Sequence, residues 1–370
     1  MNAQPIWDSI VLGAGQAGLS ASFHLQRRGI NHLVLDADSR PGGAWQHRWD
    51  SLTMADVHGV AALPDSLSPE HDPSLAHLPA NEAVPAYFAR YERDHALPVL
   101  RPVTVHRVEA ADARPDGLLR VVGSTPAGEQ AWLTRTIVNA TGTWRQPHLP
   151  HYPGMDEFRG EQFHTVSWPG AEHFRGKRTL VVGGGASAVQ FLGEIGPITD
   201  VLWTTRRPPV WRTDEFTPEA GRAAVALVEQ RVRQGLPPRS VVSVTGLMLR
   251  PQEEQARLLG VYDRRLPMFA RVLPDGVAWA DGHIERVDAI VWATGFRSVI
   301  RHLAPLGLRS PQGGIQLDEA GTTALADPRV QLVGYGPSAS TIGANRAGRA
   351  AATGVARRLR QPGLRQTAPN

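Results

Sequence analysis

The amino-acid sequence predicts an α/β fold with two parallel sheets, because one local pattern occurs twice along the chain. Each copy is a short apolar strand, a glycine-rich turn, a helix with apolar residues at helical spacing, and a further strand. The first copy begins at Ile6–Leu12 and the second at Thr179–Val182. With 370 residues, the chain is long enough for two domains of ordinary size.

The remaining elements follow from local patterns. In the first copy we predict a helix over residues 16–28 and a strand over 32–35; in the second, a helix from Ala186 and a strand over 201–205. Alternating apolar runs near 103–108, 118–122 and 132–138 predict a small antiparallel layer between the copies.

The last strand and helix decide the predicted domain organisation. An apolar strand at Ala289–Trp292 and a helix at about 342–359 need a sheet to join, and we expect them to complete the first one. This predicts a discontinuous first domain, residues 1–150 and 287–370, with the second domain, residues 151–286, inserted.

Composition excludes several classes of function. The formal charge is +4, only one of the 39 basic residues is lysine, and the arginines are scattered among acids, so we expect no nucleic-acid partner. The chain has no cysteine, which removes disulfide exchange, thiolate metal sites and iron-sulfur clusters, and we predict no metal site. It shows no long apolar run or leader, so we expect a cytoplasmic protein without a membrane partner; a homodimer is compatible with the sequence.

The first glycine turn predicts a site for FAD. Gly13, Gly15 and Gly18 form a GxGxxG motif between a strand and a helix, where glycines permit a sharp turn and let a pyrophosphate approach the helix N-terminus. Asp36 ends the next strand, where a carboxylate can accept hydrogen bonds from the ribose hydroxyls of an adenosine. The first domain is therefore predicted to be Rossmann-like and to bind a dinucleotide, and the second domain, which repeats the pattern, is predicted to do the same.

The second glycine turn predicts a site for NADPH. Gly183 and Gly185 precede Ala188 in a GxGxxA motif, and Arg206 lies as far beyond Gly183 as Asp36 lies beyond Gly13. A ribose 2′-phosphate favours a guanidinium at this position, and Arg207 adds a second one. The alternative is that the two arginines form a solvated basic corner.

Two Ala-Thr-Gly segments link the copies. Ala140-Thr141-Gly142 follows one apolar strand and Ala293-Thr294-Gly295 follows another. Small residues at a strand end allow the chain to pass close to a bound dinucleotide or to switch domains.

These segments, together with three others, resemble the flavin-containing monooxygenase family, which uses both FAD and NAD(P)H. The others are Pro41-Gly42-Gly43-Ala44-Trp45, Thr143-Trp144 and the fingerprint Phe158-x-Gly160-xxx-His164-xxx-Trp168-Pro169. The Trp-Pro ending of the fingerprint is similar to the Baeyer-Villiger version, and the length resembles the short bacterial members. The resemblance spans nearly the whole chain.

The resemblance implies hydride transfer from NADPH, with NADH as the weaker donor, to the flavin, followed by capture of O2 as a C4a-peroxyflavin. The peroxyflavin would oxygenate small soft nucleophiles, with sulfides as the main substrates and amines or ketones as alternative ones. By the same resemblance, Trp45 to about Asp56 would lie near the flavin ring, and His164 would couple the two cofactors. The alternative for His164 is a buried turn histidine with a purely structural role.

The catalytic candidates are Asp56 and His164. The expected cofactor contacts are Gly13, Gly15, Gln16, Gly18, Asp36, Gly43, Trp45, Thr141, Gly142, Gly183, Gly185, Ser187, Arg206, Arg207, Thr294 and Gly295. The chain departs from the family at one point: Ala55 stands where longer members carry an active-site asparagine. Asp56 matches the spacing of a Baeyer-Villiger aspartate, but without the aromatic-proline pair that precedes it.

Two alternative functions remain open at this stage. An NAD(P)H-dependent flavin reductase or oxidase would use both nucleotide sites without inserting oxygen. A non-catalytic flavoprotein would need no second site, which the Gly183 turn and Arg206 argue against.

Overall fold

Two parallel sheets, one from each copy of the pattern, form the framework of the protein. The computed structural model describes residues 5–57, 59–114, 116–212, 218–238 and 246–361. Two stretches of the predicted second domain therefore lie outside the described residues. The predicted α/β class with two parallel sheets is confirmed.

The first sheet has the strand order β3-β2-β1-β6-β5-β4, and β15 also pairs with β6. Its strands are β1 (Ile6–Leu12), β2 (His32–Leu35), β3 (Val99–Leu100), β4 (Thr104–Ala110), β5 (Leu119–Thr125), β6 (Gly128–Asn139) and β15 (Val330–Leu332). β1 is parallel to β2 and β6, whereas β4, β5 and the start of β6 form the predicted antiparallel layer.

The second sheet has the order β10-β9-β8-β14-β7, and all its neighbouring strands are parallel. Its strands are β7 (Glu161–His164), β8 (Thr179–Val182), β9 (Val201–Thr204), β10 (Arg265–Leu266) and β14 (Ala289–Trp292). The placement of β14 in the first sheet was wrong. Its four residues pair with β8 on one side and β7 on the other, so the expected boundary between 286 and 287 separates a strand from its own sheet.

A small antiparallel sheet and the helices complete the described fold. The sheet contains β11 (Arg271–Leu273), β12 (Gly276–Ala278) and β13 (Ile284–Arg286). The α-helices are α1 (Gln16–Gln26), α2 (Ala80–Asp94), α3 (Ala186–Ile195), α4 (Pro218–Arg233), α5 (Glu254–Leu258) and α6 (Thr341–Leu359). In the described ranges, no helix is both long and apolar enough to cross a membrane.

Small residues bring α1 and α6 together over the first sheet. A Cβ added at Gly348 would lie 2.5 Å from Ser20 Oγ, so the two backbones approach more closely than larger side chains allow. Ala347 and Ala351 are buried on the same face of α6. The first glycine turn therefore sits on a closely packed helix pair.

The same backbone contact occurs in both sheets. Gly13 has φ +99°, and a Cβ there would lie 2.7 Å from Ala140 O; Gly183 has φ +144°, and its Cβ would lie 2.2 Å from Ala293 O. Each glycine turn thus touches the Ala-Thr-Gly segment that follows the neighbouring parallel strand. Any side chain at these glycines would displace backbone.

We predict that Gly183→Ala destabilises the protein by about 1–3 kcal/mol or more, because the substitution adds both backbone strain and overlap with Ala293 O. Thermal unfolding without added nucleotide measures the effect. Gly185→Ala is the matched control, since a Cβ there meets nothing within 4 Å and φ is −112°. Equal unfolding midpoints for the two variants would contradict the assigned contact.

Candidate functional site

The N-termini of α1 and α3 are open to a ligand. Gly15 and Gly185 are the N-caps, and neither helix start has a side-chain cap. A Cβ at Gly15 would meet only the Gly43 Cα, at 3.8 Å. Uncapped amides at a helix N-terminus favour a phosphate group, and both turns leave room for one to approach the backbone.

Side chains beside the first turn connect distant parts of the chain. Gln16 Nε2 donates to Ala61 O at 3.0 Å and to Asn345 Oδ1 at 2.9 Å, which links α1 to a loop and to α6. Ala186 stands at the position of Gln16 in the second motif, and Ser187, the next residue in the first turn of α3, is partly exposed. No sequence motif marks Asn345, so its place in this cluster was not predicted.

Asp36 is buried at the end of β2 and already has partners. Its Oδ1 accepts the Asp38 N–H at 3.2 Å, and its Oδ2 accepts from Arg101 Nη2 at 3.3 Å. Arg101 also donates to both oxygens of Glu92, at 2.7 and 2.6 Å. Burial raises the pKa of Asp36, and the hydrogen bond from Asp38 and the charge of Arg101 oppose that rise. Sequence reasoning missed Arg101, which fixes the carboxylate expected to bind ribose.

The segment after Gly43 is a 3₁₀ turn, Gly43–His47, followed by the Asp56 loop. Trp45 packs against a buried core to which both sheets contribute. The Asp56 carboxylate accepts two hydrogen bonds from Thr53, one from the Thr53 backbone N–H at 3.3 Å and one from the Thr53 Oγ1 at 2.6 Å. Asp56 is therefore held within its own loop.

The two Ala-Thr-Gly segments cross and hold each other. Thr141 Oγ1 donates to Val299 O at 2.6 Å, and the Val299 N–H donates to Gly142 O at 3.0 Å. The second crossing repeats this arrangement: Thr294 Oγ1 donates to His148 O, and the His148 N–H donates to Gly295 O at 2.9 Å. The Thr and Gly of each turn thus bind the chain that leaves the other turn.

His164 ends β7 and lies against the second crossing. Its Nδ1 accepts the Val166 N–H at 3.4 Å, so Nε2 carries the proton and donates to Gly295 O at 3.2 Å. Burial lowers the pKa of His164, which favours this neutral tautomer. Phe296 packs edge-on against the ring. Both ring nitrogens are bound to backbone, an arrangement that supports the structural alternative for this residue.

Arg206 and Arg207 are exposed and follow β9 directly. Thr205 Cγ2 would contact a Cβ at Gly184, so the arginines begin beside the second glycine turn. Burial lowers the pKa of His148, and the charges of Arg297 and Arg206 lower it further, which places these three residues in one electrostatic neighbourhood. Arg297 was not among the predicted residues.

Fifteen of the eighteen predicted residues fall into two groups, whereas Asp36 ends β2 and Trp45 and Asp56 lie in the segment after Gly43. The first surrounds the α1 turn and contains Gly13, Gly15, Gln16, Gly18, Gly43, Thr141 and Gly142. The second surrounds the α3 turn and contains Gly183, Gly185, Ser187, Arg206, Arg207, Thr294, Gly295 and His164. The crossing segments join the two groups.

Comparison with known proteins identifies the family. The profile of the family described as pyridine nucleotide-disulphide oxidoreductase matches residues 10–217. The chain superimposes on a flavin-containing monooxygenase from Stenotrophomonas maltophilia with a TM-score of 0.79 and 36% identity, over 95% of this chain and 98% of that one. The chain belongs to the flavin-containing monooxygenase family.

More distant relatives agree with this assignment. An uncharacterized oxidoreductase, CzcO, from Bacillus velezensis is 23% identical over 84% of this chain and 87% of its own length. A Baeyer-Villiger monooxygenase from Streptomyces coelicolor is 28% identical over 61% of this chain but only 42% of its own length. The resemblance predicted from the sequence is confirmed, and this flavin-containing monooxygenase is an oxidoreductase.

In this monooxygenase, Glu194 near the end of α3 ties the second sheet to the loop after Gly43. Its Oε1 accepts from Trp49 Nε1 at 3.0 Å and its Oε2 from Ser51 Oγ at 2.8 Å. Burial raises the pKa of Glu194; the two hydrogen bonds oppose the rise and the charge of Asp56 adds to it. The helix that begins at the second glycine turn thus ends on the segment that carries Asp56.

We predict that the stability of Glu194→Gln relative to wild type increases as pH rises from acid to neutral. Because the pKa of Glu194 is raised in the folded protein, its contribution to the stability of the wild type is complete below the unfolded-state pKa and is lost as pH rises through the folded-state pKa. Glutamine cannot ionise, so the variant avoids this loss. Unfolding midpoints of both proteins across this pH range test the trend. Glu319→Gln, an exposed change in the turn before β15, is the control, and an identical trend in both variants would refute the assignment.

Proposed function

We propose that this flavin-containing monooxygenase inserts one oxygen atom of O2 into small soft nucleophiles, sulfides before amines, with ketones as weaker substrates. NADPH would reduce the bound FAD, and the oxygen would be transferred from a C4a-peroxyflavin. The observation that carries the proposal is the pair of uncapped glycine turns joined by the two crossing segments. The similarity to a flavin-containing monooxygenase over nearly the full chain supports it.

The first turn fits FAD. Gly15 leaves the N-terminus of α1 without a side-chain cap, where a pyrophosphate could bind, and a Cβ at Gly15 would contact the Gly43 Cα at 3.8 Å. Asp36, fixed by Arg101, is the acceptor that we assign to the ribose hydroxyls. When bound, FAD supplies the redox chemistry, while these residues bind and orient it.

The second turn fits NADPH. Gly185 leaves the N-terminus of α3 open for the pyrophosphate, and Arg206 with Arg207 extends from the adjacent strand end. Arg297 is a further cation near this site, since its charge and that of Arg206 both lower the pKa of His148. The protein OTEMO, whose structure contains FAD and NADP, has 17% sequence identity to this chain. At this identity the similarity supports the general architecture alone.

We propose a domain division that respects the strand pairing. The FAD domain would comprise residues 1–150 and the chain from about residue 296, and the NADPH domain the residues between. This keeps β14 with β7 and β8. It places one boundary within the crossing segment 293–299 and the other just after the crossing segment 140–148.

We predict that Arg206→Ala raises the Michaelis constant for NADPH by roughly tenfold or more and leaves that for NADH nearly unchanged. A hydrogen bond to a charged group contributes about 1.5–3 kcal/mol, and only NADPH offers the 2′-phosphate. Steady-state rates with each cofactor give both constants. Arg271→Ala, on the separate antiparallel sheet, is the control. An equal increase of the Michaelis constants for NADPH and NADH in Arg206→Ala would contradict the assignment of Arg206 to the 2′-phosphate.

We predict that reduced, NADP-bound enzyme forms a spectrally distinct flavin-oxygen intermediate before oxidised flavin returns, and that thioethers are converted to sulfoxides. Sulfur accepts oxygen with little assistance beyond positioning, whereas attack on a ketone requires stabilisation of an oxyanion. Stopped-flow mixing with O2 detects the intermediate. Asp56→Ala should change its lifetime more than the rate of flavin reduction.

The alternative function is an NAD(P)H-dependent flavin reductase or oxidase. Direct return of oxidised flavin with stoichiometric hydrogen peroxide, and no sulfoxide from a panel of thioethers, would favour that function over the proposed one.

A further inference from the structure

Arg48 is a largely desolvated cation for which the described residues provide no acidic partner. It follows the Gly43–His47 turn, and its guanidinium carbon lies 4.5 Å from the ring centre of Trp144 and 5.6 Å from that of Trp45. Its Nε is buried, and among the described residues nothing accepts a hydrogen bond from it. Burial lowers the pKa of Arg48 to about 10, with no neighbouring carboxylate opposing the shift.

Three carboxylates from the chain around Arg48 and from α3 accept hydrogen bonds from other residues. Asp38 accepts from His47 at 3.1 Å and also from Arg145. Asp50 accepts from Asn81 Nδ2 at 2.7 Å. Glu194 accepts from Trp49 and Ser51. A desolvated charge is costly unless it is paired, and contact with two indole rings offsets only part of that cost.

Arg48 lines a cleft of about 420 Å³ between the loop of the first sheet and the fingerprint segment. The lining residues are His47, Arg48, Trp49, Asp50, Ser51, Thr165, Val166, Trp168, Pro169, Gly170 and Ala171. Thr165 is 2% exposed, and its hydroxyl is buried without a hydrogen-bond partner in the described structure. The indoles of Trp49 and Trp168 supply apolar surface, so the cleft combines a cation, a polar hydroxyl and aromatic walls at a volume typical of small-molecule sites.

We infer that this cleft binds a small carboxylate, with Arg48 pairing its two oxygens and the indoles contacting its apolar part. The inference rests on the proposed function in one respect: the carboxylate would belong to the nucleophile that is oxygenated. Two observations favour a monoanion over a phosphate. One guanidinium faces the cleft, and Asp50 in the lining would repel a dianion. The uncapped glycine turns already offer sites of the kind that phosphates use.

The test compares matched ligands, (phenylthio)acetate and its methyl ester. We expect wild-type enzyme to bind the acid tenfold or more tightly than the ester, since an ion-paired hydrogen bond is worth about 1.5–3 kcal/mol. Arg48→Gln should abolish this ratio, and Arg48→Lys should restore part of it. Arg120→Gln, an exposed arginine paired with Glu109 on the antiparallel layer, is the control and should keep the wild-type ratio.

Binding is measured by calorimetry on oxidised holoenzyme without NADPH, so the result does not depend on turnover. Acid binding that depends on Arg48, in an enzyme that oxygenates no thioether, would support the site and refute the proposed function. An equal affinity of the wild-type enzyme for acid and ester would overturn the inference. So would an Arg48→Gln variant whose defect lies only in FAD retention or NADPH affinity, because Arg48 would then serve a cofactor. If Arg48→Gln does not fold, Thr165→Val should lower the affinity for the acid more than for the ester, and an unchanged ratio would count against the site.

Discussion

The crossing of residues 140–148 with residues 293–299 is the constraint on which the rest of the structure depends. Each turn accepts a backbone hydrogen bond from the chain leaving the other turn, and each threonine donates one back: Thr141 to Val299, and Thr294 to His148. Because the four bonds form two equivalent pairs, separating the sheets would break both at once. The sheets that carry the two uncapped helix N-termini are therefore tied through one junction, as the proposed hydride transfer between two bound nucleotides would require.

This junction also explains why the two sequence patterns carry paired glycines and alanines. Gly13 and Gly183 lack a Cβ because the carbonyls of Ala140 and Ala293 occupy that space. In each sheet, the strand before the glycine turn is parallel to the strand before the Ala-Thr-Gly segment, with Leu12 opposite Asn139 and Val182 opposite Trp292. The repeat in the sequence thus encodes a repeated backbone contact as well as a nucleotide site.

Much of the fold could be predicted because its signals are local. Apolar runs and glycine turns gave the bounds of β1, β2 and β8 and the start of α1 and α3, as the structure has them. The partner of β14 is not a local property, and the expectation that it joins the first sheet was wrong. The repeat itself held the missing information: β6 precedes one Ala-Thr-Gly segment and pairs with β1, so β14, which precedes the other, belongs beside β8.

Other parts of the candidate site could not be predicted, because their meaning lies in contacts between distant residues. Arg101 and Arg48 are two among many arginines. Only the fold shows that Arg101 is fixed by Glu92 and Asp36, whereas no acid in the described part of the chain pairs with Arg48. The sequence nevertheless limits the chemistry sharply. The family profile includes disulphide reductases in its description, but a chain without cysteine has no thiol relay to receive electrons from a flavin. Electrons must then pass to O2 or directly to a substrate, and the cleft between Arg48 and the fingerprint is lined by residues of both proposed domains, so such a molecule could meet both there.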